Sequence, residues 1–133
     1  MPYRMLEHTA DLSMEVTAGS FEELMGEALR AMTGWVGPEW TVRAAERPFL
    51  IEADDHAIML VDLLNEALTL SQIHHEAYDD LVIRSIGEGY VEGFFVGAEI
   101  SGAREEIKAV TYHNASVERL PDGSWRAILL MDI

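Results

Sequence analysis

The sequence predicts an α+β fold, a mostly antiparallel sheet covered by two main helices, and three observations carry that expectation. Two stretches repeat apolar residues at the helical period behind a capping residue, several others alternate apolar and polar, and glycine-containing turns join the late alternating runs as hairpins. All of this falls in one chain of 133 residues, read as a single domain over 1–133. A chain of this length buries about two thirds of its unfolded surface in one core.

Residues 3–6 read as a short strand. Leu12, Met14, Val16 and Ala18 alternate with Ser13, Glu15 and Thr17 in a second, so Glu7-His8-Thr9-Ala10-Asp11 sits at the turn between them. A turn gripped by a sheet on both sides can aim Asp11 at a fixed place. Ser20 opens the first helix, and Glu23 completes a capping box with it. Phe21, Leu24, Met25, Ala28, Leu29, Met32 and Trp35 form the apolar stripe of that helix, which Gly34, Gly37 and Pro38 are expected to stop.

Residues 40–45 read only as extended, and 49–53 as a short strand rich in aromatic and β-branched side chains. Asp54 or Asp55 then caps a second helix running to about Gln72. Ala57, Ile58, Leu60, Val61, Leu64, Ala67, Leu68 and Ser71 give it a broad apolar face, leaving Asp62, Glu66 and Thr69 as a narrow polar stripe, so it belongs in the centre of the domain. Residues 81–86 and 90–100 form a hairpin across Gly87-Glu88-Gly89, followed by a loop at 101–106 and a strand at 107–113. Asn114 marks a point for the chain to turn, and 117–120 and 125–131 flank the hairpin signal Pro121-Asp122-Gly123-Ser124.

Composition narrows the function. The formal charge is −15, with nine lysines and arginines against 24 carboxylates, which argues against direct nucleic-acid binding because phosphate backbones are held by cations. Such a surface keeps a protein soluble and steers it toward a basic partner or a metal ion. No apolar run approaches the roughly 18 residues of a membrane span, and no secretory signal opens the chain. Absence of cysteine excludes disulfides and thiolate chemistry and suits the cytoplasm.

Three stretches could carry chemistry. Asp11, the side chain of Asp132 and the α-carboxylate of Ile133 would form a hard-oxygen site for Ca²⁺ or Mg²⁺ if the last strand ran beside the 7–11 turn. On the residues alone, a loose acidic terminus is the simpler account. His74-His75-Glu76 with Asp79-Asp80 offers zinc-type ligands but lacks a zinc spacing, and adjacent histidines at a helix end suit the helix dipole. Lys108 in Lys108-Ala-Val-Thr-Tyr-His113 is the one lysine of the chain, either a proton donor or phosphate contact or an edge-strand charge that discourages sheet association. His8 and His113 suit structural hydrogen bonds better than ligation or base catalysis.

Taken together, Leu6-Glu-His-Thr-Ala-Asp11, Ser20-Phe-Glu-Glu-Leu24, Leu63-Leu-Asn-Glu-Ala-Leu68, Ile107-Lys-Ala-Val-Thr-Tyr-His113 and Asp132-Ile133 resemble the signatures of the archease family, in order and over nearly the whole chain. The resemblance implies an α+β fold related to strand-helix-strand-strand modules. It also implies a protein cofactor, not an enzyme, that assists the RtcB-type RNA ligase in tRNA splicing and RNA repair. Archeases promote GTP- and metal-dependent guanylylation of that ligase, permit multiple turnovers and can widen its nucleotide choice. Their essential acidic residues bind a divalent metal, usually taken as Ca²⁺. Carried onto this chain, the resemblance makes Asp11, Asp132 and the terminal carboxylate of Ile133 the ligands and gives the last strand a reason to meet the 7–11 turn. The loop at 101–106 looks shorter than is usual in the family, which bears on partner affinity. Two other readings stay open: a small metal-dependent hydrolase using the same carboxylates, and a general chaperone or adaptor.

Overall fold

The computed structural model describes residues 11–133, so the expected strand at 3–6 and the residues Glu7 to Ala10 of the turn motif lie outside the described residues. In chain order the elements are β1 (Asp11–Ala18), α1 (Phe21–Val36), β2 (Pro38–Glu52), α2 (His56–His74), β3 (Glu76–Gly87), β4 (Tyr90–Ala103), β5 (Ala109–Arg119) and β6 (Trp125–Asp132). The α+β expectation holds, with antiparallel strands throughout and two helices. The strands divide into two three-stranded sheets, ordered β1-β6-β5 and β2-β4-β3. The division follows from pairing: β6 has both edges filled by β1 and β5, and β4 has both filled by β2 and β3.

The helix ends are set by local chemistry. Ser20 is extended, and its Oγ accepts the Glu23 N–H at 3.2 Å. The Glu23 carboxylate accepts in return from the Gly19 N–H at 3.3 Å, one residue beyond the usual reach of a capping box. Gly34 lies inside α1 and does not stop it. Gly37 does, in the left-handed conformation at φ 64°, followed by a proline that cannot continue a helix. Asp55, not Asp54, caps α2 by accepting the Ile58 N–H at 3.0 Å, and His75 closes the other end at φ 55°.

Each helix touches both sheets: α1 packs on β1 and β6 and on β3, while α2 packs on β5 and on β2, β3 and β4. The helix pair is therefore the layer that joins them. Leu24, Met25, Leu29, Leu60, Leu63 and Leu64 are fully buried there, against Leu129 and Met131 from one sheet and Val91 and Phe95 from the other. Burial of each such side chain stabilises the fold by about 1.5–3 kcal/mol relative to exposure. Ile58, expected on the buried face of α2, is instead exposed in its first turn.

Several expected breaks are continuous strand. Residues 40–45 and 49–52 belong to one strand, β2, which stops one residue short of the expected 53 and has register shifts between Glu39 and Ala44. Residues 101–103 extend β4, so the loop is confined to 104–108. Asn114, at φ 55°, does not turn the chain; it sits in a bulge of β5 where the pairing jumps from Thr111 to Ser116. β4 needs glycine opposite two bulges of β3, because a Cβ at Gly93 or Gly97 would stand 1.9 Å from the Val82 or Ala77 carbonyl oxygen.

One charged group is buried between β2 and β3. Arg47 donates from Nε and from its terminal nitrogen to the two Glu76 oxygens, each at 2.8 Å, and the Tyr78 hydroxyl donates to the same carboxylate at 2.8 Å. The Arg47 hydrogen bonds hold the Glu76 carboxyl below its ordinary value of 4.5, against burial that raises it and with help from Tyr78. A carboxyl depressed in the folded state contributes stability that is present above 4.5 and lost as pH falls toward the folded value. Glu76→Gln should therefore cost about 1.5–3 kcal/mol near neutral pH and lose less than the native protein on acidification. Thermal unfolding followed by circular dichroism from neutral pH downward reads both effects, and parallel acid curves for the two proteins would contradict the assignment.

Candidate carboxylate site at the end of the central strand

β1 and β6 run antiparallel with Asp11 directly opposite Asp132. The next pair inward is Leu12 with Met131, which turns toward the core, so the two aspartates project together from the outer face, where both are exposed. Directly opposed residues place their Cβ atoms about 4.5–5.5 Å apart, and like charges there repel. Among the described residues neither carboxylate is in an ion pair.

The end of β6 is not frayed. Ala109 of β5 pairs with Asp132 on the side away from β1, and the Lys108 N–H donates to the Asp132 carbonyl at 2.7 Å. Ile133 packs its side chain against the core, which holds its backbone beside the pair. Lys108 thus immediately precedes the strand that flanks Asp132.

Sequence reasoning missed the residue that positions this flank. From α2, the Asn65 Nδ2 donates to the Val110 carbonyl and its Oδ1 accepts the Val110 N–H, both at 2.8 Å. The side-chain amide thereby satisfies a backbone donor and acceptor that β5 does not pair with β6 at that residue. An amide next to the fully buried Leu63 and Leu64 was the available signal. One turn earlier, Asp62 accepts from the Tyr112 hydroxyl, and that hydrogen bond, with burial, raises the Tyr112 pKa above its ordinary 10.0.

The other expected candidates do not assemble. His75 is a helix cap, Glu76 is consumed by Arg47 and Tyr78, and Asp80 accepts from Arg30 at 3.4 Å. His113 lies in the exposed bulge of β5, and His8 is outside the described residues. Among the described residues no three His, Asp or Glu side chains converge as a metal cluster. The facing pair provides two hard-oxygen donors of the kind Ca²⁺ and Mg²⁺ prefer, and a cation between them would relieve their repulsion. That donor chemistry fits a hard divalent ion; further oxygens must come from the Ile133 backbone end, water or a partner.

A family model described as the Archease protein family (MTH1598/TM1083) matches residues 3–133. The chain belongs to the archease family. Protein archease of Methanopyrus kandleri is 33% identical with complete coverage of both chains, that is, 100% of each. Protein archease of Pyrococcus furiosus is 31% identical over 96% of this chain and 95% of its own. Among solved structures, protein 1598 of Methanobacterium thermoautotrophicum superposes with a TM-score of 0.73 at 27% identity, covering 96% of each chain. The Thermotoga maritima archease, described as a possible chaperone, gives a TM-score of 0.71 at 24% identity over 98% of this chain and 97% of its own, a likeness of fold. No helix among the described residues is long and apolar enough to cross a membrane.

In metal-free buffer, Asp132→Asn should unfold about 1–2 °C above the native protein, because one of two opposed charges is gone. Millimolar Ca²⁺ should raise the native midpoint by several degrees and leave that of the variant unmoved. A calorimetric scan with and without Ca²⁺ reads this directly, and an unresponsive native midpoint would contradict the cation reading.

Proposed function

We propose that this archease-family chain activates an RtcB-type RNA ligase in tRNA splicing and RNA repair, as a cytoplasmic protein cofactor and not an enzyme. It promotes ligase guanylylation and multiple turnover through a divalent cation, Ca²⁺ in this reading, held by Asp11, Asp132 and the α-carboxylate of Ile133. The observation that carries the reading is the β1–β6 register, which faces Asp11 with Asp132 at one end of the sheet. The ligase is the partner that the resemblance of the sequence motifs implies, and the charge of −15 favours a protein partner over an RNA groove.

In this reading the chain's own residues bind and orient. Asp11 and Asp132 hold the cation on an exposed face where a second protein can reach it, while Asn65 and the Lys108 N–H keep the flanking strand in place. When bound, the cation would supply Lewis-acid charge neutralisation for a nucleoside triphosphate. Asp11, Asp132 and the Ile133 α-carboxylate would fill only part of a six- to eight-oxygen shell, which would leave room for phosphate oxygens of a nucleotide held by the partner.

Multiple-turnover RNA ligation with GTP and the cognate ligase tests the proposal. The native chain should raise the number of turnovers per ligase, Asp11→Ala should lose nearly all of that stimulation while unfolding normally, and one residue added after Ile133 should lose it too. Full stimulation by Asp11→Ala would overturn the cation mechanism. A general chaperone would instead suppress client aggregation equally well with Asp11→Ala; the Thermotoga relative is described as a possible chaperone.

A further inference from the structure

The C-terminal ends of α1 and α2 converge on the 104–108 loop and leave a half-open cavity of about 140 Å³ between them. Its walls are apolar, with Leu29, Met32 and Val36 from α1, Ala67 and Leu68 from α2, and Ile107 from the loop. Two hydroxyls that line it are already committed: Thr33 Oγ1 donates to the Tyr78 carbonyl at 2.6 Å, and Ser71 Oγ donates to the Glu76 carbonyl. Inside the cavity an incoming group is therefore offered burial and dispersion, and polar side chains, Gln72, Glu105 and Glu106, are also among its lining. A volume of this order accommodates an apolar group of about benzene size.

The loop edge of the mouth is acidic. Glu105 and Glu106 line it, both exposed and neither in an ion pair among the described residues. Val36 is the last residue of α1, and Ser71 and Gln72 lie in the last turn of α2, so the negative poles of both helices fall at the cavity. The last turn of α1 carries no basic side chain, that of α2 carries His74, and the Arg104 guanidinium lies over Gly37 at the α1 cap, so the acidic character of the mouth rests on Glu105 and Glu106. The cavity selects an apolar body, and its mouth selects positive charge beside it.

We propose that this cavity is a docking pocket for one apolar side chain, leucine or phenylalanine in size, carried on a basic segment of a partner protein. Charge complementarity decides for a basic segment over an acidic one or a second copy of this chain, whose charge of −15 would repel. The loop that walls the pocket with Ile107 continues at once into Lys108, whose N–H holds Asp132, so a partner seated here lies close in the chain to the carboxylate pair. The inference stands without the ligase reading.

The test is an amide chemical-shift titration of the ¹⁵N-labelled full chain with capped Lys-Leu-Arg, Lys-Gly-Arg and Glu-Leu-Glu peptides and with isopentylamine. Lys-Leu-Arg should shift the amides of Met32, Val36, Ala103 and Ile107, with the other probes severalfold weaker. Ala67→Leu, which fills the cavity from its wall, should weaken Lys-Leu-Arg by about tenfold or more, the worth of burying one leucine. Should that variant fold poorly, Glu105→Gln with Glu106→Gln on the exposed mouth should weaken Lys-Leu-Arg toward Glu-Leu-Glu. Equal binding of Lys-Gly-Arg or Glu-Leu-Glu, tighter binding of the free amine, or no shift with any probe would overturn the proposal.

Discussion

The structure depends on the register of β1 against β6. Leu12, Met14 and Val16 pair with Met131, Leu129 and Ala127, and these residues fill one side of the core beneath the helices. Slipping the pair by one residue would turn this apolar set to solvent and the polar set inward, so burial enforces the register. The alternation that seats Val16 in the core is the same alternation that puts Asp11 opposite Asp132 on the outer face. Repulsion between those two carboxylates is small beside the burial that opposes it, which is how the fold can keep a like-charged pair in place.

The second sheet and the helices fix what flanks that pair. α2 bridges the sheets and reaches β5 through Asn65 and Asp62, so the strand lying beside Asp132 is anchored to a helix whose Leu60, Leu63 and Leu64 are fully buried. Lys108 and Ile107 follow from that anchoring: one backbone amide holds the Asp132 carbonyl, and the neighbouring side chain walls the cavity between the helix ends. Core packing, a carboxylate pair and an apolar pocket thus share a single five-residue loop.

Features governed by near neighbours were legible in the sequence. Ser20 with Glu23, Asp55, the Gly89 turn and the Gly123 turn each encode a local backbone geometry, and each appears where its residues imply, with φ 82° at Gly89 and 89° at Gly123. What depends on distant partners was not. Residues 40–45 carry no clear alternation, and only pairing with β4 makes them strand; the division into two sheets likewise follows from which edges are already filled. Asn114 has the composition of a turn, but strand pairing on both sides converts its left-handed backbone into a bulge. At the candidate site, spacing alone left Asp132 as a loose terminus, and the family resemblance supplied its partner. The opposition of Asp11 and Asp132 needed the structure, as did the Asn65 bracket, whose two hydrogen bonds span 45 residues of sequence.

The central claim is that strand register builds a hard-cation site from Asp11, Asp132 and the Ile133 end. Anomalous diffraction from crystals grown with Mn²⁺, an ion of similar oxygen preference whose signal locates it unambiguously, addresses that claim most directly. The account predicts a single strong peak between the Asp11 and Asp132 carboxylates, within bonding distance of both and of an Ile133 carboxylate oxygen. A peak elsewhere with none at this pair, or two aspartates turned away from each other with only water between them, would contradict it.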